Sequence, residues 1–104
     1  MTVIGELNVT PIRKGSMSAQ LAKAIEALDE FDVSYESNPM ATIMEADDVG
    51  TLFAAAQAAH EAVDADRVIT TLKIDDKRTT TAPASEKVAS LEERLGRKAK
   101  RDRD

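Results

Sequence analysis

Hydrophobic and polar positions alternate at the start of the chain, with Val3, Leu7 and Val9 on one side and Ile4, Glu6, Asn8 and Thr10 on the other. A period of two predicts a strand. Pro11 and the run Arg13-Lys14-Gly15-Ser16 end it, Gly15 giving the turn its freedom. The period then changes. Met17, Leu21, Ala24, Ile25 and Leu28 recur at three and four, which predicts an amphipathic helix over about 18–31, capped by Ser16 or Ser18.

Val33 to Ser37 reads as a short strand with Val33 and Tyr35 on one side; Asn38-Pro39 breaks it, and a further strand runs to about Glu45. Asp47 or Asp48 caps a second helix with the stripe Val49, Leu52, Phe53, Ala56, His60 and Val63, closed by Asp64-Ala65-Asp66. A fourth strand sets Val68, Thr70, Leu72 and Ile74 against Ile69, Thr71 and Lys73. The order β-α-β-β-α-β predicts an α+β, ferredoxin-like sandwich: a four-stranded antiparallel sheet with two helices on one face. Residues 1–78 form this domain. Residues 79–104 comprise a polar connector, a C-terminal helix from about Ser85 and a basic tail. Val88, Leu91 and Leu95 give that last helix a stripe too thin to fold alone, so it must dock on its own domain or on a partner.

A chain of 104 residues with 42% apolar content holds one core, mostly aliphatic because only three residues are aromatic. The absence of cysteine removes disulfides, thiolate metal sites and thiol catalysis from consideration. Without a signal-like N-terminus or a long apolar run, the expectation is a soluble cytoplasmic protein with no membrane association. The net charge of −5 is uneven: Arg94 to Asp104 carries six basic and two acidic residues, leaving 8 basic against 17 acidic in the body. An acidic body is a poor partner for phosphate backbones, so nucleic acid is not the expected partner; the basic tail reads as a solvated end.

No constellation of catalytic residues stands out. His60 lies in HEAVD, which lacks the second histidine of a zinc motif, and its position on or beside the helix stripe reads as a hydrogen-bonded structural residue. Asp75-Asp76 lacks a third carboxylate and reads as turn chemistry rather than a metal site, and Lys73 reads as a surface ion-pair partner. The predicted central strands carry no aromatic residue on which an RNA base would stack. Arg13-Lys14-Gly15-Ser16 is too poor in glycine for a phosphate-cradling loop. Neither enzymatic activity, a metal nor a cofactor is expected. What remains is a set of hydroxyls with Glu6 and Asn8, suited either to a wet sheet face or to a small polar heterocycle.

Four ordered stretches, GELNVTPIRKGSMS, YESNPMATIME, AAHEAV and VITTLKIDDKR, resemble the small thiamine-binding protein family from about Val3 to Arg78. The resemblance implies a ferredoxin-like fold, assembly into homodimers or homotetramers, and binding of thiamine or its hydroxymethylpyrimidine moiety without catalysis. It assigns ligand-binding roles to Glu6, Asn8, Ser16, Ser37, Met40, Thr42 and Thr71. In that reading the amide and hydroxyls pair the aminopyrimidine edge, Glu6 favours the thiazolium cation, and Met40 with Ile4 gives apolar or sulfur contact. Two positions depart from the family pattern: Arg13-Lys14 stands where small residues are usual, and Ala41 where glycine is common. The alternative expectation is a structural or regulatory oligomer whose open sheet faces bury one another, with no small-molecule ligand.

Overall fold

The computed structural model describes residues 2–79 and 82–100. Thr80, Thr81 and the last four residues of the basic tail lie outside the described residues. The elements are β1 (Val3–Ile12), α1 (Ser18–Leu28), β2 (Ser34–Ser37), β3 (Thr42–Ala46), α2 (Val49–Ala62), β4 (Arg67–Asp75) and α3 (Ser85–Leu95). The strands form one antiparallel sheet in the order β2-β3-β1-β4. This is the α+β arrangement the periodicities predict, with β1 and β3 central and β4 on an edge.

The pleat of β1 sorts its side chains. Val3, Leu7 and Val9 face α1 and α2, where they meet Met44 of β3, Leu28 of α1 and Leu52 of α2 in one core. Gly5 belongs to the same face: a Cβ there would sit 3.3 Å from both Leu52 Cδ1 and Leu72 Cδ1. Glycine is what lets α2 approach the sheet so closely. The opposite face carries Ile4, Glu6, Asn8 and Thr10, opposed on β4 by Asp75, Lys73, Thr71 and Ile69.

Both helices are rotated from the faces their hydrophobic spacing predicts. In α1 the buried positions are Gln20, Ala24 and Leu28, while Met17 and Leu21 are exposed. Gln20 takes the inner position because its Oε1 accepts the Asp64 amide at 2.8 Å, pinning α1 to the link between α2 and β4. In α2 the buried set is Leu52, Ala55, Ala56 and Ala59, which leaves Phe53 58% exposed. Alanines allow α2 to lie close to its neighbours, and the bulkier phenylalanine is turned outward. His60 is likewise exposed rather than set into the core; its Nδ1 lies 2.5 Å from Thr70 Oγ1 on β4, so the expected hydrogen bond is present at the surface.

The caps divide. Asp48 closes the start of α2, accepting from the Thr51 amide at 2.7 Å and its hydroxyl at 2.9 Å. These bonds hold its carboxyl below the ordinary carboxylate range, the backbone bond contributing most. Ser16 and Ser18 do not cap α1; Met17 holds the N-cap position and the two hydroxyls bond each other at 3.0 Å. The helix also ends at Leu28, three residues before the predicted limit, and Asp29 and Tyr35 lock that end to β2 through a 2.7 Å hydrogen bond. That bond to Asp29 is the main reason the Tyr35 hydroxyl titrates above its ordinary value.

α3 begins against the uncovered sheet face. The Ala84 amide donates to Glu45 Oε1 at 2.9 Å, and Lys87 pairs with Asp75. The ion pair that forms on β4 therefore uses Lys87 and Asp75, not Lys73, among the described residues. Beyond this first turn, Val88, Leu91 and Leu95 remain exposed. The hydrogen bond from Lys87, followed by its charge, lowers the Asp75 pKa. A depressed carboxyl contributes at all pH above its unfolded value and loses that contribution as pH falls through the lowered folded value. The protection of the Glu86 and Lys87 amides, relative to the intrinsic exchange rate at each pH, is therefore expected to fall on acidification below the ordinary carboxylate range. The Lys87→Met variant is expected to show the reduced protection already at neutral pH.

Candidate functional site

The β2–β3 hairpin is shorter than the strand it joins. β3 pairs with β1 only from Val3 to Leu7, so Asn8, Val9 and Thr10 have a strand neighbour on the β4 side alone. Beside this stretch, between the hairpin and the start of α1, lies a cleft of about 410 Å³. Its floor is the edge of β1 from Leu7 to Thr10, and its two walls are α1 and the segment from Ser37 to Thr42.

Local chemistry shapes each wall. Gly15 adopts a φ of +97°, turning the chain after β1 so that α1 folds back along the sheet. The rotation of α1 imposed by Gln20 then presents Met17, Ser18 and Leu21 to the cleft. On the other wall the Asn38 side chain accepts from the Met40 and Ala41 amides at 2.9 and 3.0 Å, an Asx-type turn that fixes the hairpin tip. Ser37 and Thr42 flank that tip, and their hydroxyls lie 2.9 Å apart. Thr42 is buried; Met40, at the tip, is 82% exposed.

Apolar walls with a few hydroxyls and an open strand edge suit a small planar ligand that carries both donors and acceptors. Among the described residues, no lysine, arginine, histidine, aspartate or glutamate lines the cleft. A second hollow, about 530 Å³, lies on the opposite side of the sheet under the start of α3. It is lined by Ile4, Ile43, Glu45, Asp75, Lys87 and Val88 among others. Its Glu45, Asp75 and Lys87 already bond within the chain, so it offers less unspent recognition chemistry. Among the described residues, no group of three or more His, Asp or Glu side chains is placed to hold a metal. No helix among them is long and apolar enough to cross a membrane.

The seven residues proposed from sequence fall in three places. Ser37, Met40 and Thr42 line the cleft together. Glu6 and Thr71 stand on the uncovered face; Asn8 shares that face by strand alternation, so it is its main chain that borders the cleft. Ser16 does not reach the cleft lining; its partner Ser18 does. Sequence reasoning placed Met17 and Leu21 in the core and so overlooked them as lining residues. The signal for their displacement was Gln20, a polar residue at a position that an inward-facing α1 must bury.

A family model described as "Thiamine-binding protein" matches residues 5–92. A "UPF0045 protein" of Methanothermobacter thermautotrophicus is 43% identical over 98 residues, covering 89% of this chain and 99% of its own. The crystal structure of a hypothetical protein from Methanocaldococcus jannaschii has a TM-score of 0.81 at 34% identity, covering 88% of this chain and 97% of that one. A Thermotoga maritima structure, of a protein provisionally assigned to thiamine biosynthesis or salvage, has a TM-score of 0.75 at 22% identity. It covers 88% of this chain and 99% of its own, and shows the shared fold.

Proposed function

The chain belongs to the thiamine-binding protein family, and from that membership together with the cleft we propose that it binds thiamine, or the hydroxymethylpyrimidine moiety, without catalysing a reaction. The observation that carries this reading is the uncharged cleft between α1 and the β2–β3 hairpin, with Ser37 and Thr42 hydroxyls beside a stretch of β1 that has no strand neighbour on the hairpin side. An aminopyrimidine presents an amino donor next to ring-nitrogen acceptors. Hydroxyls, which both donate and accept, and main-chain groups of Asn8 to Thr10 match such an edge. Each pairing contributes about 0.5–1.5 kcal/mol, and ring burial between Met17, Leu21 and Met40 supplies the rest of the roughly 8 kcal/mol of a micromolar complex.

The thiazolium of thiamine is a fixed cation, and among the described residues no carboxylate lines the cleft to meet it. In this reading the neutral pyrimidine occupies the cleft and the cation stays at its mouth, where water and the acidic body accommodate it. A ligand so held is across the sheet from Glu6 and Thr71, which then serve the uncovered face. That face, with Ile4, Ile43 and the exposed α3 stripe of Val88, Leu91 and Leu95, supports assembly as a homo-oligomer.

Isothermal titration calorimetry with hydroxymethylpyrimidine, thiamine and thiamine monophosphate tests the reading. The expected result is micromolar binding of the first two, with affinities within about tenfold of each other because the buried half is common to both. Absence of heat and of a thermal shift at millimolar ligand would leave the structural-oligomer reading, favoured by the same α3 stripe, as the better account.

A further inference from the structure

Two exposed residues of the cleft wall and rim share one chemistry. Met17 at the start of α1 is 41% exposed and Met40 at the hairpin tip is 82% exposed, on opposite walls of the same opening. Met44, four residues after Met40 and in β3, is fully buried in the core. The chain has no cysteine, so its thioethers are its only oxidisable sulfur. An exposed surface methionine by itself is unremarkable chemistry. Two of them lining opposite walls of one cleft place an oxygen-accepting atom on each side of any ligand that enters.

We propose that Met17 and Met40 are a paired oxidative modification site, and that conversion of their thioethers to sulfoxides closes the cleft to its ligand while Met44 stays reduced. The inference rests on the ligand-binding reading of the cleft. The co-reactant is a peroxide: the sulfur attacks one peroxide oxygen, the O–O bond breaks as the S–O bond forms, sulfur is oxidised by two electrons, and hydrogen peroxide leaves as water. The product is a polar, tetrahedral sulfoxide on a wall that had been apolar and flexible. A planar heterocycle loses its sulfur contact and must desolvate the new S–O dipole, so binding weakens. Reduction by a methionine sulfoxide reductase, with a dithiol supplying two electrons and two protons and becoming a disulfide, restores the thioether and releases the oxygen as water, which makes the change reversible.

The selectivity follows from burial. Peroxide reaches Met40 and Met17 directly, but reaches Met44 only by opening the core. A bound ligand covers the two rim sulfurs and slows their oxidation.

The test treats the full chain with graded hydrogen peroxide, maps sulfoxide at each methionine by peptide mass spectrometry, and titrates hydroxymethylpyrimidine before and after by calorimetry. The expected result is oxidation of Met40 and Met17 ahead of Met44, slowed by ligand. Affinity should fall about tenfold or more when both are sulfoxide, recover after reductase treatment, and resist peroxide in the Met17→Leu/Met40→Leu variant. Unchanged affinity with both rim methionines fully oxidised overturns the inference and leaves the ligand reading standing. So does an equal peroxide-induced loss in the double leucine variant. Lack of binding by the untreated protein sinks the ligand reading itself, and this inference with it.

Discussion

Truncating Leu52 to alanine is expected to remove about 3 kcal/mol of folding stability, within the roughly 2–5 kcal/mol span of buried leucine truncations. The reason lies in the composition of the core. Ala24, Ala46, Ala55, Ala56 and Ala59 fill much of it, so few large side chains supply its apolar area. Leu52 is fully buried and meets Gly5 on the central strand, where no side chain is available to fill the space left behind. A small domain has only about 5–15 kcal/mol of stability to lose. Urea denaturation measures the loss as a lower midpoint with an unchanged slope. A midpoint shift smaller than that of an exposed substitution such as Phe53→Ala would contradict the placement of Leu52 at the core's centre.

The second large effect is on binding. Thr42→Val keeps the shape of a buried β-branched side chain and removes the hydroxyl that bonds Ser37. In the free protein Ser37 is exposed and turns to water, so the cost to folding is small. In the complex the ligand's polar edge meets a methyl group in a desolvated cleft, which costs about 1–2 kcal/mol, or about fivefold to thirtyfold in affinity. Replacing both Ser37 and Thr42 by apolar residues deepens the loss. Glu6→Gln and Thr71→Val, across the sheet, are expected to leave affinity within about twofold of the parent.

The sheet and its order were legible because β1 and β4 alternate cleanly and because two turns are written in Arg13 to Gly15 and in Asn38-Pro39; Pro11, read as ending β1, instead lies within it, paired with Val68. The helix faces were only half legible. Hydrophobic spacing assigns Met17 and Leu21 to the interior of α1, but the Asp64 amide needs an acceptor, and Gln20 supplies it by taking the inward position. Gln20 marks the displaced face, but its partner, the Asp64 amide, lies 44 residues away and is not legible from the helix itself. The same rotation carries Met17 and Leu21 to the cleft, so the step that spoils the prediction of the core also builds the candidate site. In α2, a run of alanines is nearly uniform around the helix, and the direction of burial was set by how closely Gly5 lets the helix approach. The hydroxyls at Ser37 and Thr42 were visible as polar residues flanking a turn. Their location on the helix side of the sheet depends on the register of Ser37 with Thr42 and of Thr42 with Leu7. A one-residue slip would have put both on the uncovered face.

The central claim is that ligand is held on the helix side of the sheet rather than on its uncovered face. Parallel calorimetric titrations of hydroxymethylpyrimidine into the parent, Thr42→Val and Thr71→Val proteins test it most directly. The expected result is an affinity about tenfold weaker for Thr42→Val and unchanged for Thr71→Val. Full affinity in Thr42→Val with a loss in Thr71→Val would contradict the claim and move the site to the other face.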